Sequence, residues 1–259
     1  MFDSHCHLDD ERFDPDRDAV LTRAARAGVT DLLLAGVRPS RFSRLWATAE
    51  IASAVRVHVS LGIHPQVVPE LTADERALVP RLASVLGRAG SRPVAIGECG
   101  LDGPTGQREE QETVFRAQIR AARELALPLV LHVFRAHEAA LRILADERAA
   151  EVGGIAHSFS GSAELVCRYL DLGFALSFAG PVTWTGARKP LAAAARVPRD
   201  ALLVETDAPD QAPQSARGQR NEPARLPEVV AALAAARGET REQVAAQTSL
   251  NTRRILRLP

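Results

Sequence analysis

What this 259-residue chain has little of narrows its class before any motif is read. Formal net charge is zero, with 32 basic and 32 acidic residues. The two signs are mixed along the chain, so it lacks the electrostatic footprint of a nucleic-acid coat or a membrane-surface anchor, although a nuclease that touches its substrate briefly is compatible with it. Almost all the positive charge is arginine, Lys189 being the single lysine. Cys6, Cys99 and Cys167 are odd in number and share no CxxC spacing, which argues against a disulfide framework or a zinc ribbon and reads as three buried thiols. No apolar run approaches the roughly 20 residues of a membrane-spanning helix. The chain opens directly into Met1-Phe2-Asp3-Ser4-His5 without a secretory leader, so a cytoplasmic protein with no membrane and no obligate protein partner is expected. Aromatic residues make up 4%, which leaves little for a base-stacking platform.

What is present is a regular alternation. Short β-branched or Leu-rich runs recur at Phe2 to Leu8, Asp31 to Val37, Val57 to His64, Pro93 to Gly100, Pro128 to Val133, Gly154 to Ser160, Phe174 to Gly180 and Ala201 to Ala208. Between them lie segments of helical periodicity, among them Asp16 to Ala27, Ser40 to Ala54, Thr72 to Ala89, Gln107 to Leu125, Ala136 to Arg148 and Ser162 to Leu172. Two more follow at Arg225 to Arg237 and Arg241 to Leu256, the second opened by Thr240 with Gln243 three residues on, a capping box. Such βαβ repetition without linkers predicts an α/β fold, a single-domain (β/α)8 TIM barrel spanning residues 1–259. The rival, an open doubly wound sheet, usually carries a Gly-rich phosphate loop after strand 1, where this chain has His-Cys-His-Leu-Asp.

The chemistry-bearing residues sit at the ends of these runs. His5, His7, Glu98, His132, His157 and Asp207 each lie in or just after an apolar stretch. Side chains alternate along a strand, so His5 and His7 share a face and Cys6 takes the other; if Glu98 points inward, Cys99 points out toward the helices. Each of the six taken singly is compatible with a hydrogen-bonded core residue. Ionisable groups buried at six strand ends would carry a large desolvation cost unless paired or coordinated, and divalent cations meet that need for several at once. Catalytic groups of such barrels collect at the strand C-termini.

These residues lie in motifs that resemble the TatD family of metal-dependent hydrolases, whose members include deoxyribonucleases. The matching stretches are Asp3-Ser4-His5-Cys6-His7-Leu8-Asp9, Gly62-Ile63-His64-Pro65, Ile96-Gly97-Glu98-Cys99-Gly100-Leu101-Asp102, His157-Ser158-Phe159-Ser160-Gly161-Ser162, Leu203-Val204-Glu205-Thr206-Asp207-Ala208-Pro209 and Arg220-Asn221-Glu222-Pro223. A final Asn251-Thr252-Arg253-Arg254 also fits. The resemblance implies a barrel of the amidohydrolase type with two divalent cations (Zn, Mn or Mg), one held by His5, His7, Glu98 and Asp207, the other by Glu98, His132 and His157. On such cations a water is expected to attack a phosphodiester, with Asp207 orienting that water and taking its proton; the family pattern implies His64 at the phosphate or the leaving group, its other reading being a stable His-Pro strand exit. Arg135 and His137 are candidates for phosphate contacts or for a solvated helix start. Glu205 is a candidate for assisting the site or for pairing with a deeper polar group, and Asp3 and His58 read as satisfied interior groups. Where family members carry aromatic residues, this chain has Gly103-Pro104-Thr105-Gly106. The expected substrate is DNA; a small amide, ester or phosphoester on the same barrel, or a non-catalytic metal-stabilised binding protein, are the other readings.

Overall fold

The computed structural model describes residues 1–51, 53–87 and 93–259. The apolar runs become strands β1 Phe2–Cys6, β2 Asp31–Ala35, β3 Arg56–Leu61, β4 Ala95–Asp102, β5 Leu129–Phe134, β6 Gly154–Ala156, β7 Phe174–Phe178 and β8 Leu202–Val204. All pair in parallel in sequence order from β1 to β8. Past the last strand residues, the Asp207 N–H reaches the His5 carbonyl at 3.0 Å and the His7 N–H reaches the Ala208 carbonyl at 2.7 Å. These two bonds draw β8 to β1, and the sheet becomes a nearly closed barrel rather than an open doubly wound one.

Helices fill the crossovers: α1 Arg17–Arg26, α2 Phe42–Ala49, α3 Ala73–Leu78, α4 Leu82–Leu86, α5 Arg108–Leu125, α6 His137–Asp146, α7 Leu165–Asp171, α8 Arg188–Arg196, α9 Leu226–Arg237 and α10 Arg241–Ile255. The helix expected over Thr72 to Ala89 is broken, because Pro80 falls inside it and the chain passes through a short 3-10 turn at Val79–Arg81 between α3 and α4. Ala89 lies outside the described residues, as does Ala52 in the segment Ser40 to Ala54, where α2 ends at Ala49. The capping box at Thr240 and Gln243 is present, and a second one at Thr72 and Glu75 opens α3.

Alternation along the strands divides the apolar residues into two packed layers. Leu32, Leu34, Ile96, Leu129 and Leu131 face the helices, while Phe2, Leu33, Ala95, Val130, Ile155 and Leu203 fill the barrel floor together with Leu256 from the end of α10. Each such fully buried side chain contributes about 1.5–3 kcal/mol. Cys6 and Cys99 belong to the outer layer as expected. Cys167 does not: it is exposed, because Val166 and Tyr169 form the buried stripe of α7 and the two residues between them, Cys167 and Arg168, turn to solvent. The floor is thus sealed by hydrocarbon, which leaves polar groups to gather at the opposite mouth.

Candidate metal centre

Five imidazoles and two carboxylates converge at the C-terminal mouth. Glu98 sits in mid-β4 and is 1% exposed. Its Oε2 lies 3.1 Å from His5 Nε2 and 3.4 Å from His7 Nε2, and Asp207 Oδ1 is 3.6 and 3.5 Å from the same two nitrogens. The other oxygen, Oε1, lies 2.9 Å from His132 Nδ1, 2.9 Å from His157 Nε2 and 3.0 Å from His64 Nε2. All six sequence-predicted ligands and His64 are therefore in one cluster, divided by Glu98 into two donor sets. The register of β1 slips between Asp3 and Cys6 and that of β4 between Ile96 and Cys99, so simple parity carries His5 and Glu98 inward only locally. Gly62 lets the crowded turn at Gly97 approach: a Cβ there would meet Gly97 backbone atoms at 2.5 Å.

A ring of partners fixes these side chains, of which sequence reading singles out only Glu205. Asp102 Oδ2 lies 3.2 Å from His132 Nε2, Glu205 Oε1 lies 3.2 Å from His157 Nδ1, and the Ala35 carbonyl accepts from His7 Nδ1 at 3.1 Å. Each leaves the opposite ring nitrogen facing Glu98, the arrangement by which outer groups set tautomer and orientation in metal sites. Two buried amides of α5 hold the backbone beneath: Gln111 brackets both backbone groups of Asp102, and Gln118 brackets those of Ile63 beside His64. Asp207 lies three residues beyond β8 with φ +53°, a conformation that costs a non-Gly residue about 1–3 kcal/mol. It is held by Asn221, whose Nδ2 donates to the Thr206 and Asp210 carbonyls, and Gln211 donates to Asp207 Oδ2. Asp102 was within reach of the sequence, since it ends the strand and motif that carry Glu98; the glutamines looked like ordinary helix positions.

The electrostatics call for positive charge. Burial favours a neutral Glu98, yet its interactions with the imidazoles of His64, His157 and His5 hold it well below the ordinary carboxylate range. Burial likewise opposes ionisation of Asp207, but the hydrogen bond with His7 and the neighbouring imidazoles bring it down to about 2. Burial disfavours the imidazolium of His7, which Asp207 and Glu98 nonetheless raise to about 9; Glu98 and Glu205 raise His157 in the same way. Even so, Glu98 Oε2, Glu205 Oε2 and His5 Nδ1 are buried without a hydrogen-bond partner among the described residues. Protons on single imidazoles cannot satisfy both oxygens of a buried carboxylate, whereas cations can. The donor sets His5, His7, Glu98 and His64, Glu98, His132 each bring their atoms within 4.8 Å of one another, so nitrogen and oxygen donors of this kind fit divalent metal.

Residues 2–257 match the model of the family described as TatD related DNase. The chain belongs to the TatD family. It is 36% identical over its whole length to the metal-dependent hydrolase YabD of Bacillus subtilis, covering 99% of that protein, and 34% identical to the 3'-5' ssDNA/RNA exonuclease TatD of Erwinia billingiae, covering 100% of both. The crystal structure of the TatD homologue YjjV from Escherichia coli superposes with a TM-score of 0.91 at 32% identity, over 100% of this chain and 98% of that one. As a TatD-family protein the chain is a metal-dependent hydrolase.

The remaining candidates are dispersed around this TatD centre. Glu205 is fully buried against His157, and with His5 and His157 it forms a further group whose donor atoms lie within 4.8 Å of one another. His137 Nδ1 is engaged by the Tyr169 hydroxyl at 2.9 Å. Arg135 is exposed, its guanidinium 5.1 Å above the Phe134 ring. Asp3 and His58 are interior groups, Asp3 accepting from Thr206 and His58 lying 3.2 Å from Asp31. Two clefts flank the cluster. One of about 360 Å³ is polar, lined by His7, Asp9, Arg38, Arg41, His64 and Asp210; the other, about 320 Å³, is apolar, bounded by His132, His157, Phe134, Phe159, Phe178 and Trp184. Although aromatic residues are few, Phe134, Phe159, Phe178 and Trp184, from three separate stretches of chain, all line this second cleft. Among the described residues no helix is long and apolar enough to cross a membrane.

Proposed function

We propose that this chain is a two-cation phosphodiesterase acting in the cytoplasm on single-stranded DNA or DNA ends, as one domain over residues 1–259. The observation that carries the reading is the division at Glu98, one oxygen toward His5 and His7, the other toward His132 and His157. One cation would be held by His5, His7, Glu98 and Asp207 and the other by Glu98, His132 and His157, with Zn and Mn favoured over Mg by the imidazole content. When bound, such cations supply Lewis acidity: they lower the pKa of a water and neutralise charge that develops on phosphoryl oxygens. The exonuclease name of the Erwinia relative supports nucleic acid as the substrate class.

The chain's own groups then divide the work. Asp207 is ionised and its Oδ2 is held by Gln211, and beside its place in the donor set this carboxylate would orient the attacking water and accept its proton. His64 accepts the Gln66 N–H at Nδ1 and burial lowers its pKa to about 4, so it is a neutral imidazole with its proton on Nε2, 3.0 Å from Glu98 Oε1. With cations on that carboxylate it would serve as a hydrogen-bond donor to a phosphoryl or leaving oxygen and not as a cationic acid.

Metal-reconstituted protein is expected to cleave labelled single-stranded oligonucleotide and to contain about two divalent cations per chain. In Asp207→Asn, turnover should fall about 10²–10⁴-fold while oligonucleotide affinity changes little. Equal, mild effects on both would remove Asp207 from this role, and hydrolysis of small phosphoesters without oligonucleotide cleavage would replace DNA as substrate.

A further inference from the structure

On the reading that this chain is a nuclease, we propose that the apolar cleft beside His132 and His157 is a nucleobase pocket, in which one base of a single strand stacks on Phe134 and Trp184. Arg135 and Lys189, next in sequence to the lining residues Phe134 and Pro190, meet the neighbouring phosphates.

Position makes the first argument. The two imidazoles that face Glu98 Oε1 also form the inner wall of the cleft, so a flat group seated there leaves the phosphodiester attached to it beside the metal centre. The walls make the second. Phe159 and Phe178 are buried and meet edge to face at 6.1 Å, and Phe159 lies so close over Gly161 that a Cβ at that position would meet its ring at 2.4 Å. Trp184 is held by its indole N–H, which donates to the Ala212 carbonyl at 2.9 Å, and by the Arg217 guanidinium 4.6 Å from its ring. Phe134, by contrast, is 39% exposed, although it stands between a ligand strand and this cleft. A rigid aromatic slot with one open aromatic edge fits a planar π-face. Ser158 and Gln211, hydrogen-bonded to each other at 2.7 Å, supply polar atoms on the lining for the edge of a base.

Charge makes the third argument. Among the described residues Arg135, Arg188, Lys189 and Arg217 form no ion pair, whereas on the polar flank Arg38, Arg41 and Arg44 are paired with Glu75, Glu11 and Asp14. These four are not the chain's only cations outside the ion pairs, but Arg135 and Lys189 adjoin the lining residues Phe134 and Pro190 in sequence, and Arg217 lies over Trp184. Aromatic faces beside free cations are the combination that holds single-stranded nucleic acid without base-specific readout.

The test uses metal-loaded Asp207→Asn protein and a short single-stranded DNA carrying 2-aminopurine as its terminal base. Binding should quench the probe. Phe134→Ala and Trp184→Ala should each weaken binding by roughly 5- to 150-fold with loss of the quench, while Phe134→Tyr restores both, and Arg135→Gln should lower the salt dependence. Because Phe134 is exposed, its removal leaves the core intact, which the melting curve checks. Wild-type affinity and quenching in both alanine variants would overturn the pocket, even if the enzyme cleaves oligonucleotide. An aromatic-dependent quench in a protein whose Asp207-containing form cleaves no oligonucleotide would leave the pocket standing and remove the nuclease reading.

Discussion

Glu98 reaches two sets of imidazoles because its neighbours are themselves held, and that dependence can be measured one residue at a time. Asp102 touches no oxygen of Glu98; it holds His132 at Nε2 and is held in turn by Gln66, Thr105 and Gln111. Asp102→Asn keeps the shape but weakens the hold on the His132 tautomer, so metal affinity should fall about 10- to 100-fold in a competition titration with a chelator, with little change in melting temperature of the metal-free protein. An unchanged affinity would mean that β5 alone fixes the ring. His5, His7, Glu98, His132, His157 and Asp207 were legible in the sequence because each is an ionisable group ending an apolar run, a pattern that burial penalises unless something compensates it. Glu205 was a named candidate for pairing and Asp102 ends the Glu98 motif, but which imidazole each would meet, and the hold of Gln211 on Asp207, were not legible, because these depend on the rotation of each strand about the barrel. Gln111 and Gln118 look like surface polar positions until β3 and β4 are laid against α5.

At the scale of elements, the strand–helix alternation was readable from periodicity, and its limits had local causes: Pro80 splits one helix, strands β6 and β8 stop short of His157 and Asp207, and register slips in β1 and β4 break strict parity. What periodicity could not reveal is how α10 closes the floor. Its Asn251 donates to the Arg199 and Leu202 carbonyls at the start of β8, and its Arg253 binds Asp31, which also takes Arg56, Thr30 and His58. Burial opposes ionisation of Asp31, yet Arg56 and the other donors hold its carboxyl well below the ordinary range. A lowered folded-state pKa contributes stability that is fully present above the unfolded carboxylate value of about 3.9 and is lost as pH falls toward the folded one. Asp31→Asn should therefore cost about 2 kcal/mol at neutral pH, lowering Tm by roughly 4–8 °C, and the gap between variant and wild type should narrow below about pH 4. A constant gap across that range would show that the loss comes from packing rather than charge.

For the whole molecule, the two ends of the barrel divide stability and function between them. The floor is closed by hydrocarbon from Phe2, Leu33, Val130 and Leu256. The mouth concentrates buried carboxylates and imidazoles whose mutual contacts leave Glu98 Oε2 without a hydrogen bond, so this end should gain most from bound cations. A ligand that binds only the folded state stabilises it by about 2.7 kcal/mol when present at a hundred times its Kd. Chelation should therefore lower Tm by roughly 5–11 °C at such a metal concentration while leaving far-UV circular dichroism unchanged, since no strand or helix depends on the mouth for its core. Glu98→Gln removes the charge that both donor sets share, and its melting temperature should respond little to added metal; it should also melt above the metal-free wild type if unshared charge at the mouth is what destabilises the chelated form. A chelated protein that unfolds outright would instead make the cations part of the folding nucleus, and the separation between a self-sufficient floor and a metal-dependent mouth would fail.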